Sequence, residues 1–315
     1  MRFLLPLLGF ILGLSRPSAA QGWEAGDYPR IHDPSTVVED GDGVWCLSTG
    51  QGIHLLKRED DRRWRKAAPL FEEFPAWHKA EVPDNKGHLW APDIIRVKDR
   101  WLVYYSVSSF GSQHSAIGLI SGKTLDPASK DYGWQDQGVV IRSRRGDPFN
   151  AIDPAIIADE GRLWMSFGSF WEGIFLVELD AETGLAKKDS KPVKLAIYPE
   201  IEAPFIHKHS GYYYLFVNWG KCCRGVESTY EIRVGRSREI TGPYRDREGV
   251  DMNDGGGSAF LATEGRFIGP GHASIFLEKG KEMLVHHFYD KERRGRSDLR
   301  MLPLEWKDGW PVVAE

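Results

Sequence analysis

Five times along the chain a run of apolar and aromatic residues follows a glycine- or charge-rich turn. The runs are Val44-Trp45-Cys46-Leu47, Trp101-Leu102-Val103-Tyr104-Tyr105, Leu163-Trp164-Met165-Ser166-Phe167, Tyr212-Tyr213-Tyr214-Leu215-Phe216 and Met283-Leu284-Val285-His286-His287. The turns before them are Asp40-Gly41-Asp42-Gly43, Lys98-Asp99-Arg100, Asp159-Glu160-Gly161, His209-Ser210-Gly211 and Lys279-Gly280. Short runs rich in branched and aromatic side chains, bounded by Gly and Asp, predict strands entered through hairpins. A further strand is predicted after them, as at Gly52-Ile53-His54-Leu55-Leu56, Ala116-Ile117-Gly118-Leu119-Ile120 and Gly173-Ile174-Phe175-Leu176-Val177. Few windows space their apolar residues at the helical period, so the chain is expected to be nearly all-β.

Upstream of each hairpin stands a segment that ends in a step to proline. The copies are His32-Asp33-Pro34, Trp90-Ala91-Pro92-Asp93, Ile152-Asp153-Pro154, Glu202-Ala203-Pro204 and Gly269-Pro270-Gly271-His272. Successive prolines lie 50 to 66 residues apart, the spacing of propeller blades. Five units of three or more strands predict a five-bladed β-propeller, one domain over residues 21–315. A two-sheet sandwich is the competing arrangement, but it gives no reason for a five-fold recurrence. In a propeller the first strand of each blade lines the axis and ends on one face. The proline steps are therefore expected to ring a single funnel.

The chain start differs in kind. Met1-Arg2 is a positive opening, Phe3 to Leu14 is almost unbroken apolar sequence, and Ser18-Ala19-Ala20 supplies small residues. That order predicts a signal peptide over residues 1–20, with an apolar run too short to span a bilayer comfortably. The mature protein is expected to be secreted, extracellular or periplasmic, with no membrane attachment after cleavage. A formal charge of −4 shows no basic bias, which makes nucleic acid a poor partner. Twelve Trp, eleven Tyr and fifteen Phe serve sheet packing and can also stack on the C–H faces of sugars. Three cysteines are too few for a disulfide scaffold and lack zinc-site spacing. Adjacent Cys222 and Cys223 either form a vicinal disulfide in an oxidising compartment or remain thiols.

Three of the five steps carry a carboxylate at or beside the residue before proline: Asp33, Asp153 and Glu202. A structural repeat does not require acids there. Hydrolysis of a glycosidic bond does require two carboxyl groups, one to protonate the leaving oxygen and one to activate water or attack directly. Burial and mutual repulsion in one pocket would raise the pKa of one of them, as a general acid needs. A single Asp-Pro step is an ordinary turn, but three acids at repeat-equivalent places point to chemistry. Asp93 follows its proline and is expected to face elsewhere on the pleat.

These motifs carry a resemblance. From His32-Asp33-Pro34-Ser35 through Leu89-Trp90-Ala91-Pro92-Asp93-Ile94, Asn150-Ala151-Ile152-Asp153-Pro154, Phe167-Gly168-Ser169-Phe170-Trp171 and Ile201-Glu202-Ala203-Pro204 to Cys222-Cys223-Arg224-Gly225, Ser228-Thr229-Tyr230 and Gly269-Pro270-Gly271-His272, the chain resembles glycoside hydrolase family 43, and within it the arabinanases. The resemblance implies an inverting hydrolase of α-1,5-L-arabinofuranosidic bonds in arabinan and arabino-oligosaccharides, acting within the chain. It implies Asp33 as general base, Glu202 as general acid, and Asp153 as the group that tunes and orients the acid. Inversion would separate base and acid by roughly 6.5–9.5 Å to admit a water. By the same resemblance, His32, Asn150, Ile152, Ser169, Phe170 and Trp171 would contact substrate, with Trp90 and Phe110 as stacking platforms. His272 would hold a calcium ion, mostly hydrated because calcium prefers oxygen donors. The segment Val217-Asn218-Trp219-Gly220-Lys221 departs from the family pattern, so a rim subsite is expected to differ. A monomer is expected. The rival activities are an exo-acting α-L-arabinofuranosidase or a β-xylosidase on the same fold; a non-catalytic sugar-binding propeller would have lost one of the acids.

Overall fold

The computed structural model describes residues 28–314, apart from 61, 62 and 72; the predicted signal peptide lies outside the described residues. Among those residues no helix is long and apolar enough to cross a membrane. Five antiparallel sheets follow one another along the chain. Blade 1 comprises Val38–Asp40, Gly43–Ser48, His54–Arg58 and Trp64–Pro69; blade 2 comprises His88–Val97, Arg100–Val107, Ser115–Gly122 and Trp134–Ser143, with the short strand Gly50–Gln51 at its inner edge. Blade 3 runs through Ala155–Asp159, Arg162–Phe167, Ile174–Leu179 and Val193–Ala196. Blade 4 is Ile201–His209, Tyr212–Trp219, Glu231–Ser237 and Ser258–Leu261, and blade 5 is Phe267–Glu278, Lys281–Asp290, Arg296–Lys307 and Trp310–Val313. This is the five-bladed β-propeller that the recurrence predicts.

The strands read as continuous apolar runs because each blade is buried on both faces. Successive side chains alternate between neighbours. Trp101, Val103 and Tyr105 join Trp45, Leu47 and Leu55 of blade 1 in one core, while Leu102 and Tyr104 join Leu163, Met165 and Phe167 of blade 3 in the next. The remaining cores lie between blades 3 and 4, 4 and 5, and 5 and 1. The ring closes without a shared strand of full length: Leu299 N–H donates to Pro29 O at 2.9 Å and Ile31 N–H to Ser297 O at 3.3 Å.

The repeated step is a left-handed bulge. Asp33, Ala91, Asp153, Ala203 and His272 all have positive φ, between 43 and 58°. Register identifies them as equivalent: Trp90 pairs with Ser106 and Asp93 with Tyr104, Glu202 with Asn218 and Phe205 with Phe216, Gly271 with His287 and Ser274 with Val285. This corrects the placement of the fifth copy. Pro270 belongs to a separate, earlier irregularity, between Ile268 and Gly271, and the residue matching the other prolines is Ala273. Asp33, Asp153 and His272 thus share one position, and Glu202 sits one residue before it.

Each bulge turns its backbone N–H toward the preceding blade, where a polar side chain receives it. Asp33 N–H donates to His287 Nδ1 (3.1 Å), Ala91 N–H to Thr49 Oγ1 (2.8 Å), Asp153 N–H to Ser106 Oγ (2.9 Å), and His272 N–H to Asn218 Oδ1 (2.8 Å). These four acceptors occupy matching places on the second strands. In blade 3 that place is Gly168, which pairs with Ile152 as Thr49 pairs with His32. Asp153 itself fills the gap, accepting Ala203 N–H on Oδ2 at 3.2 Å. Asp93 faces away from the axis as expected, its carboxylate taking Thr36 N–H (3.0 Å) and Ile156 N–H (2.8 Å) from the two flanking blades.

Buried backbone donors without a partner cost roughly 1–3 kcal/mol each. Fully buried Asn218 also donates to Pro270 O and Glu231 O. Asn218→Ala is therefore expected to lower stability by about 3 kcal/mol, measured by urea unfolding; a loss within about 0.5 kcal/mol, as for an ordinary surface change, would refute the importance of this link.

Candidate active site

The inner ends of the first strands open into one funnel of 1290 Å³, lined by Asp33, Asp153 and Glu202 together with His272. The volume exceeds the roughly 300–1,000 Å³ of a small-molecule site. The three acids that the sequence singles out do converge, although Glu202 reaches the funnel from the position before the bulge rather than from the bulge itself.

Asp33 is held by His32 and a hydroxyl donor, with two further imidazoles nearby. His32 Nδ1 lies 2.8 Å from Oδ1, and Thr49 Oγ1 donates to Oδ2 at 2.5 Å. His272 and His287 present Nδ1 atoms 3.7 and 3.6 Å from Oδ1. Burial alone would raise the Asp33 pKa, but the charge and hydrogen bond of His32, with His272 and His287 behind it, hold it well below the usual carboxylate range. His32 is fixed in turn by Tyr289 Oη, 2.7 Å from Nε2, and by its ring lying 4.2 Å from that of His287. Burial opposes a charge on His32, and the Asp33 carboxylate more than offsets it, so its pKa rises. Because His287 Nδ1 accepts the Asp33 N–H, its ring proton belongs on Nε2.

Glu202 and Asp153 sit in the opposite electrostatic setting. Burial pushes Glu202 up to about 7, with the charge of Asp33 adding to the rise; the Ser169 hydroxyl, donating to Oε2 at 2.7 Å, and His32 act against it. Burial raises Asp153 well above its ordinary range, reinforced by Glu202 and Asp33 and opposed by the Ala203 N–H bond. One pocket therefore holds an ionised carboxylate and a coupled pair that retains a proton at neutral pH.

The predicted binding residues take several positions. Ser169 is bonded to Glu202, and Phe170 N–H donates to Ile201 O at 2.7 Å, so the turn after Gly168 is tied to the strand that carries the acid. Phe170 and Trp171 are consecutive left-handed residues (φ 52 and 42°) on the funnel wall, and Trp171 is exposed. Asn150 accepts from Ser115 Oγ at 2.7 Å, while its side-chain NH2 makes no hydrogen bond among the described residues. Ile152 is a buried part of the wall. Trp90 and Phe110 lie 5.1 Å apart on the funnel wall, and Phe110 is 80% exposed.

Cys222 and Cys223 form the vicinal disulfide, and Cys46 is a buried thiol. The pair lines the funnel, with Cys223 N–H donating to Tyr289 Oη at 2.8 Å. Thr49, His287 and Tyr289 are site residues that sequence reasoning did not single out. The available signal was a polar group facing the axis within an apolar second strand.

Several donors could meet a metal. Ligand atoms of His32, Asp33 and His287 lie within 4.8 Å of one another, but the set is rich in nitrogen, and both Asp33 oxygens already have partners. His272 is different. Burial, outweighing Asp33, keeps its imidazole neutral, its side chain makes no hydrogen bond among the described residues, and it lines the funnel. It fits as a single protein ligand to an otherwise hydrated ion.

A family model described as glycosyl hydrolases family 43 matches residues 28–311. The chain is 44% identical over 301 residues to an extracellular exo-α-(1→5)-L-arabinofuranosidase of Cellvibrio japonicus, covering 90% of this chain and 86% of that protein. It is 39% identical over 312 residues to an extracellular endo-α-(1→5)-L-arabinanase of Bacillus subtilis, covering 96% and 93%. The solved α-L-arabinanase of Cellvibrio cellulosa complexed with arabinohexaose matches with a TM-score of 0.87 and 42% identity, over 91% of this chain and 96% of that one.

The Ser169 bond stabilises the ionised form of Glu202. Ser169→Ala is expected to raise the Glu202 midpoint by roughly one unit, followed by carboxyl carbon NMR; an unchanged or lower midpoint would contradict the geometry.

Proposed function

Because the chain belongs to glycosyl hydrolase family 43 and is a glycoside hydrolase, we propose that it is a secreted, monomeric, inverting enzyme that cleaves α-1,5-L-arabinofuranosidic bonds within arabinan. Asp33 is the general base, Glu202 the general acid, and Asp153 the group that sets the acid's pKa. One observation carries this reading: a strongly ionised carboxylate and a carboxyl raised to about 7 face the same funnel, with no hydrogen bond between them. Relatives named arabinanases support the substrate, and the names of two relatives as extracellular support export along with the apolar N-terminus.

The roles follow from the two environments. Glu202 keeps its proton near neutral pH and delivers it to the leaving glycosidic oxygen. Asp33, held in orientation by His32 and Thr49, takes a proton from the water that attacks the opposite side of the anomeric carbon. So depressed a carboxylate is a weak base toward free water. It becomes adequate as that water bonds to an oxocarbenium-like carbon and turns acidic. Asp153 acts through Glu202: it shares the buried pocket, so that the pair retains a proton, and anchors the Ala203 N–H next to the acid. We also propose calcium on His272, with water as its other ligands; bound there it would supply positive charge beside the acids.

An exo mode is favoured by the names of the 44% identical relative and of a 40% identical solved neighbour, an exo-1,5-α-L-arabinanase from a bovine ruminal metagenomic library. The size of the funnel and the Trp90–Phe110 pair, with Phe110 exposed, support passage of a chain through the site. Early products from debranched linear arabinan separate the two: a ladder of oligomers is expected, and one fixed product would assign exo action. Running the assay with chelator and with added calcium tests the ion, and chelation without effect on rate would remove it from the reading.

Glu202→Gln and Asp33→Asn are each expected to reduce turnover by roughly 10²–10⁴-fold. Asp33 stays ionised throughout the working range, so activity should be flat in mild acid and fall above pH about 7 as Glu202 loses its proton. Asp153→Asn removes the second ionisable carboxyl of the pair but keeps an acceptor for Ala203 N–H. The alkaline limb should move to lower pH with little change in Tm. Arabino-oligosaccharides that bind but stay intact, regardless of Glu202→Gln, would end the catalytic reading.

A further inference from the structure

Beyond Glu202, the first strand of blade 4 carries His207 and His209, roughly 15–20 Å further along it. The strand period puts both imidazoles on one side, while Lys208 between them pairs with Asp159 of blade 3. Facing them is Glu282 on the second strand of blade 5. His207 Nε2 lies 2.9 Å and His209 Nδ1 3.6 Å from Glu282 Oε1, and the three ligand atoms lie within 4.8 Å of one another.

The surroundings fix these groups. Trp306 Nε1–H donates to the other Glu282 oxygen at 2.6 Å, and the His209 ring stacks on Trp306 at 3.8 Å with an 11° tilt. The three side chains are 20 to 28% exposed, enough for an ion and solvent to enter. A short ion pair between blades accounts for His207 and Glu282. His209 approaches the same oxygen at a longer distance and stacks on Trp306, while its ring nitrogens make no hydrogen bond among the described residues.

Two imidazoles and a carboxylate are the donors of a zinc-class ion, with bonds of about 2.0–2.2 Å and a fourth position for water. Tetrahedral bonds of that length place ligand atoms roughly 3.3–3.6 Å apart, and the two separations to Glu282 lie near that range. Calcium, which seeks six or more oxygens, does not suit the set. We propose that His207, His209 and Glu282 form a transition-metal site of the zinc class that clamps blade 4 to blade 5, away from the funnel.

The test is calorimetric titration of the chelator-stripped full-length protein with zinc chloride, with calcium chloride as control. One zinc is expected to bind with a Kd of about 1 μM or tighter, with no calcium binding at these residues and a zinc-dependent rise in Tm. His209→Asn and Glu282→Gln should each weaken zinc binding by at least about tenfold, since even outer partners of a metal site are worth roughly 10–100-fold, and His209→Asn should leave arabinan turnover unchanged. Wild-type protein loaded with cobalt should show the visible absorption of a four- or five-coordinate ion, a readout that holds even if a variant folds poorly. Absence of zinc binding, absence of that absorption, or equal affinity in wild type and His209→Asn would overturn the proposal.

Discussion

The propeller depends on what happens to five backbone N–H groups. A buried amide hydrogen must find an acceptor, and each left-handed bulge turns one out of its own sheet toward the blade before it. The acceptors form a cycle: His287, Thr49, Ser106, Asp153 and Asn218 receive Asp33, Ala91, Asp153, Ala203 and His272. Apolar cores hold neighbouring blades together but leave their sliding weakly specified. These directional bonds fix the register of one blade against the next at the axis, where the chemistry sits.

Function enters where this cycle is irregular. Three blades answer with Thr, Ser or Asn, groups that cannot ionise. Blade 5 answers with His287, which thereby becomes a neighbour of Asp33. Blade 3 has Gly168, and an added Cβ there would come within 2.4 Å of Gly173 O at a φ of +127°. With no side chain at that place, the Asp153 carboxylate supplies the missing acceptor and is brought beside Glu202. The electrostatic division of the pocket follows from the same arrangement. Nitrogen donors crowd the blade 1–blade 5 side and draw Asp33 down; burial without a cation on the blade 3–blade 4 side pushes Asp153 and Glu202 up.

Much of this was legible in the sequence, because repetition is visible without coordinates. The apolar runs gave the strands, their five-fold recurrence gave the architecture, and acids at matching steps gave the convergence. The limits have physical causes. A proline marks a bulge only statistically, whereas the bulge is defined by φ and register, so the proline pattern points to Pro270 where the equivalent residue is Ala273. Thr49, His287 and Tyr289 stand within or at the end of strands that look like ordinary core segments, and nothing in a linear pattern says that those side chains face the axis. The state of Cys222 and Cys223 was open in sequence because adjacency permits a bond without requiring one. That one of the converging carboxyls would be raised was expected from their convergence, but what draws Asp33 down was not legible, since it arises partly from residues up to 254 positions away.

The closure of the ring has a further implication. The segment Pro29 to Ile31 is the seam of a circular structure, held to blade 5 by two backbone bonds, and Asp33 lies only two residues beyond it. Asp33 is thus mounted beside the joint that closes the ring. Detachment of a few residues there would separate Asp33 from His272, His287 and Tyr289 while leaving the cores between the other blades intact. The fastening of this one segment therefore matters to the arrangement around Asp33 more than its length suggests.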